Sequence, residues 1–303
     1  LKFNITTSGT TSKPKRVEVK LQNCIRQVKV MSESTKRVWA MCYPIKSFAS
    51  TQVFFQALFN KETIIYSFSN NFKYVNDMLI ENRATNLTCT PTFLNMLIIN
   101  ASCSNPYVKT LTTGGEKISK KLLKSVDSYY PNAKYINIYA STEVGSIFYS
   151  NSDVFKIPDR YSNLIKVENK ELLIHKSLLN LSKNNNIKND WFLSGDLVEM
   201  IDEKSFRFTE RKGQYINSGG NRVSPIKIEE EILKMDGVDD VRVYGKPSSV
   251  MGTIICAELV TKTLSIKHIK NQLKKKLTKF QIPQIITIVD QISLASSGKK
   301  SRR

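Results

Sequence analysis

Histidine is nearly absent: His175 and His268 are the only two in 303 residues. Imidazole-based zinc sites and Ser-His-Asp triads are therefore poor candidates. Cysteine is scarce as well. Cys24, Cys42, Cys89, Cys103 and Cys256 are odd in number, scattered and never spaced as C-x-x-C. That pattern fits reduced core thiols in a cytoplasmic protein, not a disulfide framework or a zinc cluster. No apolar run reaches the roughly 18 residues that a spanning helix needs, so no membrane span is expected. The opening Leu1-Lys2-Phe3 leads directly into polar residues, and no secretory leader is expected there.

Acidic residues are the other shortage. With 46 basic and 26 acidic residues the formal charge is +20. Such a balance raises the capture rate of anions in general, nucleotides and acidic carrier proteins included. Zinc-finger spacing, an RRM aromatic motif and basic heptads are all missing, so no specific nucleic-acid partner is expected. At 41% apolar and 24% charged the composition is that of a globular protein, long enough for one large and one smaller domain.

Residues 3–20 read as strand, loop, strand. The loop TTSGTTSKPK gathers six hydroxyl residues around Gly9 and ends at Pro14-Lys15. Hydroxyls, exposed backbone N–H groups and a terminal lysine are what polyphosphate oxygens require. With a single glycine it is not a Walker A loop. A plain polar hairpin loop is the competing reading.

The ordered pattern T-S-G-T-T-x-K-P-K resembles the phosphate loop of the adenylate-forming superfamily: acyl- and aryl-CoA synthetases, nonribosomal adenylation domains and luciferases. Further stretches resemble that family's motifs in order. Leu87 to Leu97 is similar to its strand, V-P-T turn and helix, and Pro91 suits a helix start. Thr110 to Glu116 is similar to its strand ending in G-G-E, where glycines let a flat ring approach the backbone. Tyr139-Ala140-Ser141-Thr142-Glu143 resembles Y-G-x-T-E, although a T-E pair taken alone is an ordinary helix start. Trp191 to Leu197 resembles W-F-x-T-G-D-L, and Gly298-Lys299-Lys300-Ser301-Arg302 resembles a closing G-K-x-x-R.

The resemblance implies an α/β fold: a large domain over 1–211, with the N-terminal part of the family fold missing, and a small mobile C-terminal α+β domain over 212–303. An uncovered core would favour a homodimer. It implies Mg²⁺ and ATP as cofactors and a small carboxylic acid as substrate. The acyl acceptor would be coenzyme A or the phosphopantetheine thiol of an acyl carrier protein. By resemblance Thr7, Ser8, Gly9, Thr10, Thr11 and Lys15 hold phosphates, and Gly114, Gly115 and Glu116 border the adenine. Tyr139 stacks on the base, Thr142 reaches a phosphate oxygen and Glu143 holds the metal. Asp196 and Arg211 serve the ribose side, and Lys299 is the catalytic cation. A turnover-deficient relative that only binds nucleotide is the alternative of another class.

Departures from the family pattern are local. Ser12 and Ser47 replace a glycine and a histidine or aromatic, and Ala140 a glycine. Glu210 replaces the glycine before Arg211, Lys227 an acid, and Gly213 the hinge aspartate. Phe48 stands where amino-acid-activating relatives usually carry an aspartate, which favours an aryl or fatty acid substrate. Between residues 212 and 303, helices are expected from Ile226 to Met235 and from Ile266 to Phe280, and strands at 238–244, 254–260 and 285–289.

Overall fold

A mostly parallel sheet, its parallel strands joined by helices, organises the first half of the chain. In the computed structural model, which describes residues 2–7, 15–26, 28–32, 36–179, 186–248 and 252–301, a short hairpin comes first. Its strands are β1 (Lys2–Thr7) and β2 (Lys15–Lys20), followed by α1 (Leu21–Ile25). The chain then alternates: β3 (Val38–Cys42), α2 (Phe48–Phe59), β4 (Thr63–Tyr66), α3 (Phe72–Glu81), β5 (Asn86–Cys89). It continues with α4 (Pro91–Ile99), β6 (Thr110–Gly114), α5 (Lys120–Tyr129), β7 (Lys134–Ser141) and β8 (Gly145–Ser150). The sheet order is β4-β3-β5-β6-β7-β8, parallel except for the hairpin strand β8.

Local chemistry sets the helix starts. Ser47, Asn71, Thr90 and Ser119 each cap one of α2 to α5 by accepting a backbone N–H with the side chain. All four residues of β5 are buried, as are seven of the nine in α4, so this pair forms the centre of the core.

A second, antiparallel sheet follows. Its strands are β9 (Val154–Lys156), β10 (Ile165–Glu168), β11 (Glu171–His175), β12 (Ile187–Lys188), β13 (Trp191–Met200) and β14 (Ser205–Arg211). The order is β10-β11-β13-β14-β9, with β12 also on β13. Phe148, Phe155, Phe206 and Phe208 pack ring against ring beneath it.

The chain divides into two compact units: Leu1–Thr209 with Ser296–Lys299, and Glu210–Ala295 with Lys300–Arg303. The second unit holds the hairpin β15 (Ile216–Ser218) and β16 (Asn221–Val223), then α6 (Pro225–Leu233), β17 (Val238–Ser248), β18 (Gly252–Thr261), α7 (Ile266–Lys274) and β19 (Ile285–Ile288). Ile228, Ile232, Val241, Val243, Leu259, Ile269 and Leu273 form its core, each without exposed surface. The expected helical run to Phe280 stops at Lys274. Lys275 caps it, its N–H donating to the Gln272 and Leu273 carbonyls, and further on Thr278 N donates to Gln281 Oε1.

Lys300, given no catalytic role by the sequence, is a structural residue of this unit. Its ammonium donates to Asp240 Oδ1 and to the Val241 carbonyl, both at 2.6 Å, with Asp240 1% exposed. Arg242 donates to the Ser301 carbonyl at 2.7 Å, so Ser301 is tied to β17.

Candidate active site

In the parallel sheet the connection from β3 runs to β4 on one side, and the next returns to β5 on the other. Strand order reverses between β3 and β5, and ligands of open parallel sheets bind beyond the C-terminal strand ends at such a point. Tyr43, just after β3, donates its hydroxyl to the Cys89 carbonyl of β5 at 2.6 Å. Burial, with neighbouring Cys89, pushes this phenol well above its ordinary pKa, so it remains a donor. Thr90, just after β5, donates its hydroxyl to the Gly298 carbonyl at 2.6 Å. This hydrogen bond holds the tail segment Ser296–Lys299 within the first unit.

The G-G-E turn ends the neighbouring strand β6. A methyl group at Gly114 would lie 2.9 Å from the Ile138 carbonyl oxygen, closer than packed atoms come. Gly115 has φ +83°, and its missing Cβ would lie 3.2 Å from both Cε and Nζ of Lys299. Glu116 accepts the Thr92 backbone N–H in the first turn of α4 at 3.2 Å, an anion at a helix N-terminus. Gly114, Gly115, Glu116 and Lys299 are thus gathered at one edge of one sheet.

Thr142 and Glu143 occupy the turn of the β7–β8 hairpin, between the register partners Ser141 and Gly145. They do not begin a helix, because the chain reverses to form β8. Val144 braces the turn: its N–H approaches Ser141 Oγ and its carbonyl accepts from Arg26.

Asp196 lies in the middle of β13, not at a strand end. The segment Leu193 to Leu197 opposes only Leu173 to Glu171, which makes a bulge. Gly195, at φ +75°, takes the left-handed backbone that this bulge requires. Its N–H donates to Glu171 Oε1 at 2.9 Å, while Ser194 Oγ donates to the Leu172 carbonyl at 2.7 Å and accepts from Asp196 N. Asp196, 9% exposed, receives the Tyr139 hydroxyl on Oδ2 at 2.7 Å. The Tyr139 ring stacks on Phe208 with centroids 4.5 Å apart. One ring face expected to meet the base is therefore already covered by protein.

Among the phosphate-loop residues, Ser8, Gly9, Thr10 and Thr11 lie outside the described residues, and Thr7 and Lys15 close the hairpin as register partners. Arg211 belongs to the second unit, where its carbonyl accepts from Gln214 N. Thr90, Glu171, Ser194 and Phe208 are not among the site residues that the sequence assigns. A threonine before a proline is a local signal for Thr90, whereas a buried acid opposite a strand glycine depends on knowing the strand pairing.

Comparison with known proteins gives the same outline. The family model for AMP-binding enzymes matches residues 3–166, and that for the AMP-binding enzyme C-terminal domain matches 227–299. The chain is 25% identical to the 2-succinylbenzoate–CoA ligase of Listeria monocytogenes serotype 4b (strain F2365) over 318 residues, covering 98% of this chain and 68% of that one. It is 23% identical to surfactin synthase subunit 3 of Bacillus subtilis (strain 168) over 339 residues, covering 98% of this chain and 26% of that one. Among solved structures, the Bacillus subtilis O-succinylbenzoate coenzyme A synthetase in complex with ATP and magnesium ion has the same fold. Its TM-score is 0.71 at 19% identity, over 99% of this chain and 68% of that one.

Proposed function

The chain belongs to the AMP-binding enzyme family, and from that premise we propose that it activates a carboxylic acid with Mg·ATP and passes the acyl group to a thiol. The observation that carries this reading is the end of Lys299 lying against Gly115 at the C-terminal edge of the parallel sheet. A substrate carboxylate oxygen attacks the α-phosphorus, the bond to pyrophosphate breaks, and an acyl-adenylate forms. An ammonium group at this edge offsets the negative charge that builds on the α-phosphate oxygens.

The residues present fit the nucleotide. Gly114 and Gly115 carry no side chain at the end of β6, so a flat base can approach the backbone of the G-G-E turn. Asp196, held by Tyr139, accepts hydrogen bonds from ribose hydroxyls. Thr142 and the loop from Thr7 to Lys15 serve the phosphates. No cluster of three metal-ligating side chains occurs among the described residues. Magnesium bound by one carboxylate, Glu143, together with phosphate oxygens is consistent with that. When bound, the ion supplies neutralising charge to the phosphates.

In the second half-reaction the thiol attacks the acyl carbonyl and AMP leaves. Coenzyme A is the acceptor by similarity to the 2-succinylbenzoate–CoA ligase. The surfactin synthase relative favours a second reading, with the thiol presented by a carrier protein. Acid-dependent exchange of labelled pyrophosphate into ATP, followed by AMP release with coenzyme A or a carrier, tests the proposal. Exchange with at least one acid supports it; ATP binding without exchange for any acid indicates a binding-only relative.

A further inference from the structure

The second unit carries a stretch whose charge the fold does not explain. Between Glu258 and Asp290 there is no acidic residue, while lysines stand at 262, 267, 270, 274, 275, 276 and 279. On α7, Lys267, Lys270 and Lys274 follow one another at spacings of three and four, where like charges repel. Lys267 also sits in the first turn, at the positive end of the helix dipole. Lys270 alone has a visible structural task, donating to the Gln284 carbonyl at 3.2 Å. The nearest preceding acid, Glu258, is engaged by Arg242 at 2.7 Å.

Apolar surface lies within the same stretch. Ile266, Phe280, Ile285 and Ile288 are 37%, 47%, 42% and 42% exposed. Ile285 and Ile288 belong to β19, the edge strand of the order β17-β18-β19, and its outer side pairs with no strand among the described residues. Open edges are usually guarded by charge or proline on the strand itself, and Ile285-Ile286-Thr287-Ile288 carries neither.

We propose that α7, Phe280 and β19 form a docking surface for an acidic protein partner that presents apolar or aromatic side chains among its carboxylates. Complementary charge brings such a partner in and suppresses self-association of a chain at +20. Phe280, Ile285 and Ile288 supply anchors that charge alone does not.

The test titrates the full chain with labelled poly-L-glutamate and with a random glutamate–tyrosine copolymer of matched length, read by fluorescence anisotropy. The copolymer is expected to bind at least tenfold more tightly. Phe280→Ser with Ile285→Ser should bring the two polymers level while leaving poly-glutamate binding unchanged. Lys274→Glu, Lys275→Glu and Lys276→Glu together should weaken both at least tenfold, whereas Lys120→Glu, Lys121→Glu and Lys124→Glu on α5 should have under a threefold effect. Thermal melting accompanies each variant, so that lost folding is told apart from lost docking. Equal weakening by the two triple variants overturns the proposal, because binding then follows net charge alone. So does preferential binding of a single-stranded RNA or of phosphatidylserine vesicles that the α7 variant abolishes while copolymer binding persists.

Discussion

Glu210 and Lys227, the two charged departures from the family pattern, face each other: Lys227 Nζ lies 3.2 Å from Glu210 Oε1. Tyr215 donates its hydroxyl to the other carboxylate oxygen. One departure thus supplies the partner for the next, at the entry to the second unit.

The pair makes stability depend on acid. Burial by itself would raise the Glu210 pKa, but hydrogen bonds from Tyr215, Lys227 and Ser224 outweigh it and hold the carboxyl below the usual glutamate range. A depressed folded pKa contributes stability that is complete above the unfolded value of about 4.3 and is lost as pH falls through the folded value. Urea unfolding of wild type and Glu210→Gln should therefore differ at pH 7 and converge only in acid. A gap unchanged down to pH ~3 would count against this account. Lys227 is 63% exposed, so its coupling to Glu210 in a double-mutant cycle should be only about 0.5 kcal/mol.

Adjacent lysines should give opposite phenotypes. Lys299→Ala should lower acid-dependent pyrophosphate exchange by roughly 10²–10³-fold, with ATP binding retained and unfolding unchanged. Lys300→Ala strips the cation from Asp240, whose side chain is 2% exposed, and should destabilise the second unit by about 3–5 kcal/mol. Calorimetry and exchange measured on both variants decide it. Similar losses of exchange at native stability would contradict the division of labour.

Gly114→Ala introduces a methyl group 2.9 Å from the Ile138 carbonyl oxygen. Strands β6 and β7 must separate to admit it, at a cost of about 1–3 kcal/mol in urea unfolding. Gly115→Ala adds a left-handed backbone penalty of roughly 1–2 kcal/mol. It also presses on Lys299, so exchange should fall further than stability does.

Tyr139→Phe removes the donor to Asp196 and leaves a buried carboxylate oxygen without that partner. We expect a loss of about 1–3 kcal/mol in stability and a raised KM for ATP. An unchanged KM in the folded variant would argue that Asp196 does not touch the nucleotide.

Phe48, at the position where amino-acid-activating relatives usually carry an aspartate, is 8% exposed and clusters with Ile5, Val19 and Cys24. A cationic α-amino group would have no carboxylate there and would be costly to bury. Exchange assays over a panel should favour aryl or fatty acids; strong exchange only with amino acids would reverse this expectation.

Much of the architecture was legible because it is written in local chemistry. Alternation marked the strands, and Pro91 marked the start of α4 through its fixed backbone angle. Glycines at 114 and 115 pointed to a close approach. The competing reading of the T-E pair as a plain helix start gives way to a hairpin turn, because a return strand, β8, is available.

The sequence by itself determined the order of motifs and where strands and helices begin, since each rests on neighbours a few residues apart. Only the tertiary structure decided that Asp196 sits on a bulge held by Glu171, that Tyr139 leans on Phe208, and that Lys300 is a buried anchor. It also decided that Glu210 and Lys227 compensate each other. The physical reason is shared: burial and hydrogen-bond partners come from elements that meet across roughly 15 to 70 residues of chain, and no local pattern records which will meet.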